Sequence, residues 1–210
     1  MSNYSKEVLD VLDHSILSAF QRKNEMNIVK NSSDFSRNRK LNFHDLMKII
    51  IFMSSKPIKE ELWDYFDYDE DVATSSAFVQ AREKLLPNAF QTVFNMMNKH
   101  FPCDTTYHGY HLIAIDGSDL AISRDENDQE TFVYKGENIK NCNQYHINSA
   151  YDILNYRYID MIIHGAQNPG EQASMHIMAE RYKYDKAIFI ADRNYATWNI
   201  MEHIKQANQN

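Results

Sequence analysis

Glycine, proline and cysteine are all scarce in this chain of 210 residues, with five Gly, four Pro and two Cys. So few glycines and prolines mean few forced turns. The two cysteines, Cys103 and Cys142, stand alone, and neither belongs to a C-x-x-C pair. That spacing argues against a zinc site and reads as structural thiols in a reducing compartment, so the cytoplasm is the expected location. No apolar run approaches the roughly 18 residues that a membrane span needs, and mean hydropathy is −0.58; no membrane partner is expected. The first residues, Met1 to Glu7, lack a basic stretch followed by an apolar one, so no signal peptide is expected. An excess of positive charge is missing as well. Net charge is −7 and the pI is about 5.7, which argues against a protein that binds DNA over its whole surface.

What is present fits a globular protein: 43% of residues are hydrophobic and 12% aromatic. The length suits one large domain or two small ones, with enough chain to bury a core. Positive charge is local. Arg22, Lys23, Lys30, Arg37, Arg39 and Lys40 share a stretch in which only Glu25 and Asp34 oppose them. Its acidic counterpart, Glu60 to Asp71, reads as a solvated helix face and loop.

The first hundred residues read as helices. Val8, Leu9, Leu12, Ile16, Ala19 and Phe20 recur at helical spacing. The stretch from Asn24 to Arg39 is polar and reads as loop. Asn42 suits the cap of a helix with Leu46, Ile49, Ile50 and Met53 on its face, and Pro57 suits the first turn of a short third helix. Thr74-Ser75-Ser76 can cap a helix that runs through Arg82 to Leu86, where Pro87 interrupts it. A fifth helix carries Phe90, Val93, Phe94 and Met97.

Pro102 and Gly109 bracket a linker, after which strand patterns take over. The expected division is therefore a helical region over 1–105 and a second domain over 106–210. Strands are expected at Leu112 to Asp116, Tyr145 to Asp152, Arg157 to His164 and Ala187 to Ala191. A hairpin turn falls at Asn155 and another turn at Asn168-Pro169-Gly170. One helix runs from Glu171 to Tyr182 with Ala173, Ile177, Met178 and Tyr182 on its face. A last helix carries Trp198, Ile200, Met201 and Ile204. Arg124 to Asn143 reads as a polar insertion without structure of its own. The fold class is α+β or α/β: a helical N-terminal region, then a mixed sheet with flanking helices. A helical crossover makes the strands it joins parallel and lets them lie close.

Two of these strands end on an acid: Leu112-Ile113-Ala114-Ile115-Asp116 and Ala187-Ile188-Phe189-Ile190-Ala191-Asp192. Two carboxylates on neighbouring strand tips suit Mg²⁺, which takes one or two carboxylates together with phosphate and water oxygens. A pair of such ions about 3.5–4 Å apart clamps the attacking and leaving oxygens of a phosphoryl transfer. The plainer alternative is that Asp116 opens a turn with Gly117-Ser118 and that Asp192 caps the next helix.

The text around these acids carries more. Ala114-Ile115-Asp116-Gly117-Ser118-Asp119-Leu120 and Ile190-Ala191-Asp192-Arg193-Asn194-Tyr195 resemble the first and second acidic motifs of bacterial insertion-sequence transposases. These are of the DDE type, with a ribonuclease-H-like catalytic domain, in the group named after insertion sequence four. Upstream, the run Ser75 to Pro87 resembles that group's N-terminal signature, and Ile147-Asn148-Ser149-Ala150-Tyr151-Asp152-Ile153 resembles its second-strand segment. The four motifs occur in the family's order between about Leu41 and Ile204.

The resemblance implies DNA transposition: metal-dependent cleavage at the element's ends and joining of a 3′ hydroxyl to target DNA. It implies Asp116 and Asp192 as catalytic and metal-holding residues, Mg²⁺ or Mn²⁺ as cofactor, DNA as partner, and a homodimer in the DNA complex. The family's third acid is a glutamate on a later helix, and nothing here matches it. Glu202 comes too early, and Glu171 and Glu180 lie on the preceding helix, where they read as solvent-facing or as supports. The expectation is an N-terminal portion of a DDE transposase, with an incomplete ribonuclease-H-like domain that does not complete catalysis alone. The alternative is a non-catalytic DNA-binding or dimerising remnant.

Asn194 stands where the family has glycine; Asn tolerates left-handed backbone angles. Arg193 suits a phosphate near the metals, or else a surface or ion-pair role. His146 and His164 read as ordinary strand residues. For DNA contact, Lys56 to Phe66 followed by Ser75 to Leu86 could form a helix-turn-helix, with Gln80, Arg82 and Lys84 on or near the recognition helix. A long acidic connection favours instead a packed bundle with Arg82 structural. The basic stretch containing Arg37, Arg39 and Lys40 is a separate candidate for phosphate contacts.

Overall fold

The computed structural model describes residues 3–37, 39–136, 140–165, 170–183 and 186–207. It divides into two compact units, Met1–Pro102 and Cys103–Asn210, against the 105/106 division read from the linker.

The first unit is helical: α1 Asn3–Gln21, α2 Phe43–Phe52, α3 Ile58–Tyr65, α4 Ser75–Arg82 and α5 Asn88–His100. Its core gathers Ile16, Ile28, Leu46, Met47, Leu62 and Phe78, all almost fully buried. Each such side chain contributes roughly 1.5–3 kcal/mol of burial. The caps lie where the sequence puts them. Asn42 Oδ1 accepts from Asp45 N at 2.9 Å, and Thr74 Oγ1 accepts from Ala77 N at 3.2 Å. Pro57 directly precedes α3. One helix is shorter than expected. α4 ends at Arg82, not at Leu86, because the following residues pair with the loop after α1: Lys30 N donates to Lys84 O at 2.9 Å and Leu86 N to Ile28 O at 3.0 Å. Tertiary pairing, not Pro87, stops it.

The second unit is a mixed sheet with helices: β1 His111–Ile122, β2 Phe132–Val133, β3 Cys142–Asp152, β4 Arg157–Gly165, α6 Glu171–Arg181, β5 Ala187–Ile190 and α7 Trp198–Ala207. The molecule is thus of the α+β class. β3 pairs antiparallel with β1 on one side and with β4 and β2 on the other. β5 joins the free side of β1 in parallel, after the α6 crossover. Asp152 is fully buried and builds the β3–β4 turn, accepting from Leu154 N and Asn155 N, both at 3.1 Å, and from Asn155 Nδ2 at 2.9 Å. Asn168 and Pro169, the other expected turn, lie outside the described residues.

The strands depart from expectation in length. β1 does not stop at Asp116 but runs on to Ile122, and β3 starts at Cys142, because the two pair continuously as far as Ile122↔Asn143. Ten cross-strand pairs override the local turn chemistry of Gly117-Ser118. Part of the polar insertion is also ordered: Asn143 is fully buried, and its Nδ2 donates to Asp125 O at 2.7 Å and Thr131 Oγ1 at 3.0 Å, tying the loop to β2 and β3.

One face of the sheet is covered. Ile113, Ile115 and Ala150 pack there against Met175 and Met178 of α6, Tyr195 and Ile200. The buried face of α6 is Ser174, Met175, Met178 and Ala179, not the stripe through Ala173 and Ile177, both of which are exposed. On α7, Ile200 is buried but Trp198 is 90% exposed, so the tryptophan is not a core residue among the described contacts. The opposite sheet face carries Ile188 and Ile190, which are 42% and 45% exposed.

Candidate metal centre and basic cavity

Asp116 and Asp192 are carried by neighbouring parallel strands. The β1–β5 ladder ends at Ala114↔Ile190. Carrying that register two residues further sets Asp116 beside Asp192, and Asp192 is still extended, with φ −71° and ψ 172°. Adjacent strands run about 4.8 Å apart. Asp116 is therefore not a strand tip in its own chain; it becomes accessible because β5 ends beside it, and both aspartates are exposed. Each engages one oxygen locally: Asp116 Oδ1 accepts from Gly117 N at 2.9 Å and Asp192 Oδ1 from Asn194 N at 2.7 Å. The latter bond caps a short 3-10 turn over 193–195, so the plain capping role of Asp192 is real. The Oδ2 atoms make no hydrogen bond among the described residues. Asn194 needs no left-handed angle, since the turn it occupies is right-handed.

Three further side chains lie near the strand segment after Asp116 and the turn after Asp192. Tyr195 is 3% exposed, and its hydroxyl has no hydrogen-bond partner. Burial, and then the charges of Glu171, Asp116 and Asp192, push its phenol well above the usual tyrosine range. Glu171 opens α6 and leans over Gly117, where a Cβ would stand 3.0 Å from its Oε1 and 2.7 Å from His146 Nε2. His146 is more than a filler of the strand: its Nδ1 lies 2.7 Å from Asp119 Oδ1 and its Nε2 3.7 Å from Glu171 Oε1. Gln172 Nε2 donates to Asn194 O at 3.0 Å and ties α6 to the turn after Asp192. His164, by contrast, bonds Asn148 Nδ2 at 3.1 Å within the sheet.

Among the described residues, no three His, Cys, Asp or Glu side chains form a group that could hold a metal ion by themselves. Two carboxylates with free oxygens still suit a hard cation that completes its shell with water and phosphate. The buried, unpartnered Tyr195 hydroxyl beside them is consistent with a hydrated guest. The residues present therefore fit Mg²⁺ or Mn²⁺ held by Asp116 and Asp192, with an incomplete protein shell. Arg193 follows directly, exposed and free of any side-chain bond or ion pair among the described residues.

In the helical unit, two stretches that the sequence treats separately line one cavity of about 710 Å³: Arg37, Arg39 and Lys40 from the loop before α2, and Gln80 and Lys84 from α4 and just after it. Lys40 pairs with Asp71, and Lys84 Nζ stands 5.9 Å from the Phe35 ring centre. Arg37 and Arg39 have no side-chain partner among the described residues, so their charge is available to an anion. Arg82 is exposed but does not line this cavity. α3 and α4 are separated by residues 66–74, in which Asp67 and Tyr68 take left-handed angles of 51° and 59°. That connection is longer than the short turn of a helix-turn-helix.

The two cysteines are free thiols, and Cys103 Sγ accepts from Arg157 Nη2 at 2.7 Å. Among the described residues no helix is long and apolar enough to cross a membrane. By sequence Glu171 reads as solvent-facing or a support and His146 as an ordinary strand residue; their meeting at Gly117 is not legible there, because it depends on the α6 crossover and the β1–β3 register. Comparison of the chain with protein-family models, with curated proteins and with solved structures gives no match.

Proposed function

We propose that the sheet unit holds a divalent cation between Asp116 and Asp192 and serves metal-dependent phosphoryl transfer on DNA, the cleavage and strand-transfer chemistry of DDE-type insertion-sequence transposases. One observation carries this reading: the parallel β1–β5 register brings two distant acidic motifs side by side. The order of three antiparallel strands, a helical crossover and a strand parallel to the first supports a ribonuclease-H-like arrangement.

In this reading Asp116 and Asp192 would hold the cation, while Gly117 N and Asn194 N keep one oxygen of each carboxylate in place. Bound there, Mg²⁺ supplies charge stabilisation for an in-line displacement at phosphorus. Arg193 meets a phosphate oxygen of the DNA backbone. Arg37, Arg39 and Lys84 of the helical unit bind phosphates elsewhere on the strand, a local exception to a net acidic chain.

The test is nicking of supercoiled DNA in Mn²⁺, run beside a DNA-binding assay. The reading expects Mn²⁺-dependent tightening of DNA binding that Asp116→Ala and Asp192→Ala each remove, with no nicking by this chain alone, since the third acid is missing from it. DNA binding that is indifferent to Mn²⁺ and to both substitutions refutes it. That outcome favours the second reading, a non-catalytic DNA-binding protein working through the basic cavity, whose support is the pair of unpartnered arginines.

A further inference from the structure

We infer that the cavity of the helical unit is a pocket for one nucleoside phosphate whose base is unpaired: its cationic rim takes the phosphate and its apolar floor takes the base. The inference rests on the anion-binding reading of that cavity and is independent of the cation at Asp116 and Asp192. It goes beyond contact with a DNA backbone, because it names the unit recognised and the place of its base. A free nucleotide and an unpaired stretch of a DNA strand both present that unit.

Three observations converge on it. The first is charge. Arg37, Arg39, Lys40 and Lys84 line the cavity against a single carboxylate, Asp34. Asp34 Oδ2 already accepts from Asn31 N at 2.9 Å, and Lys40 is paired with Asp71. Arg37, Arg39 and Lys84 are left without an ion pair among the described residues. Lys84 is half-buried, so its charge is the costliest of the three to leave without a counter-ion. Its Nζ stands 5.9 Å from the Phe35 ring centre, at the outer edge of a cation–π contact, and gives up little on turning to a phosphate. The second observation is shape. A surface that only follows phosphates needs no recess, yet about 710 Å³ lies between these walls, within the roughly 300–1,000 Å³ usual for small-molecule sites. The floor is apolar: Leu41, Ala73 and Ala81 are buried there, and Phe35 and Ala77 complete it. The third is fixation. Lys23 Nζ donates to Asp34 O, Lys30 N donates to Lys84 O at 2.9 Å, and Val29 bridges to Leu85, so both walls are fastened. Phe35 takes a left-handed φ of 58°, uncommon for a bulky side chain, and packs edge-on against Phe43 with ring centres 5.6 Å apart. The pocket is formed before a ligand arrives, which lowers the ordering cost of binding.

Rim and floor divide the ligand between them. The planar guanidinium forks of Arg37 and Arg39 match phosphate oxygens. Gln80 Nε2 donates to Ser76 Oγ at 3.2 Å, which leaves its Oε1 to accept from the edge of a base. In a duplex the bases are paired and stacked, only phosphates reach the rim, and the floor adds nothing. An unpaired base that reaches the floor raises affinity by on the order of tenfold.

The experiment is a set of calorimetric titrations of the 210-residue chain in chelator, which keeps cations off the aspartate pair, with folding checked by circular dichroism. The probes are inorganic phosphate, deoxyadenosine monophosphate, a short oligo-dA strand and its blunt duplex with oligo-dT. The monophosphate is expected to bind once per chain and about tenfold more tightly than phosphate, and the duplex is expected not to displace it. Ala77→Leu keeps every charge, suits a helix and fills the floor; it is expected to weaken the monophosphate about tenfold and to leave phosphate within twofold. Lys84→Gln is expected to weaken both about fivefold. Arg82→Glu, on α4 but outside the cavity, is expected to change neither. Displacement of the monophosphate by oligo-dA assigns the pocket to unpaired DNA, and saturable monophosphate binding without that displacement assigns it to a free nucleotide; either supports the pocket. If the monophosphate binds no more tightly than phosphate, or if Ala77→Leu binds it within twofold of the parent, the pocket is overturned, and the rim stands as a plain anion surface provided that Arg37→Ala with Arg39→Ala weakens phosphate binding. If that double variant binds every probe like the parent, the anion-binding reading falls as well.

Discussion

Replacing Asp192 by Asn is expected to stabilise the metal-free protein. The β1–β5 register, carried two residues past its last pair Ala114↔Ile190, sets Asp116 beside Asp192, both in contact with water. Two unit charges about 5 Å apart in water repel by roughly 0.8 kcal/mol. Asn caps a turn as well as Asp does, so the bond from Asn194 N to the residue-192 side chain survives, and the repulsion alone is removed. For a unit of about 100 residues, such a gain raises the melting temperature by about 3–6 °C. Thermal melts in dilute buffer with a chelator read this directly. The gain is expected to vanish near 1 M salt, where the screening length is about 3 Å. Mg²⁺ is expected to invert the order. At tenfold over its dissociation constant it stabilises the parent by about 1.4 kcal/mol and leaves Asp192→Asn unchanged. A variant that melts at or below the parent at low salt refutes the adjacency of the two carboxylates and the metal reading with it.

Other substitutions test the frame around the site. Asp152→Ala strands three buried or half-buried donors of the β3–β4 turn and is expected to cost about 2–4 kcal/mol in urea denaturation of the sheet unit. Alkaline pH is expected to destabilise both units, since burial raises the phenols of Tyr65 and Tyr195, with Asp45 adding to the first and Glu171, Asp116 and Asp192 to the second. A raised folded-state value means that this stability is intact below the ordinary phenol value and is lost as pH climbs above about 10; Tyr195→Phe is expected to flatten the loss in the sheet unit, read by denaturation midpoints against pH. Replacing Arg37 and Arg39 together by Glu is expected to weaken DNA binding and reduce the slope of log affinity against log salt by about 2, whereas Arg82→Glu is expected to leave the slope nearly unchanged.

The fold was readable wherever local chemistry and tertiary pairing agree. Asn42 and Thr74 act as caps, and the strands around Ile113, Ala150 and Ile188 form where alternation or apolar runs announce them. It was misread where the two compete. Gly117-Ser118 has the look of a turn, but β3 offers ladder partners as far as Ile122 and the strand continues. Leu85 and Leu86 fit a helical stripe, but their backbone pairs with Ile28 and Lys30. In α6, Ile177 and Met178 are adjacent and only one can face the sheet; methionines at 175 and 178 take the core and leave the isoleucine outside. The site shows the same limit. Each aspartate is legible from the run before it, but their adjacency depends on a parallel crossover, and the approach of Glu171 depends on a missing side chain on the next strand. The merging of the basic stretch with α4 is likewise a product of packing, invisible to a charge count along the chain.

The two aspartates are unequally anchored. Asp116 sits inside a strand that holds ten pairs with β3, whereas Asp192 follows an edge strand held by four pairs to β1. Short edge ladders open locally at lower free energy than central ones. Amide hydrogens of Ala187 to Ile190 are thus the natural place for early exchange with solvent, while those of Leu112 to Asp116 stay protected. In such an opening the site does not loosen evenly: one jaw stays fixed and the other swings out with β5. Under the proposed metal-holding reading, a cation seated between them acts as a clasp on β5, so that occupancy of the site and closure of β5 become a single equilibrium.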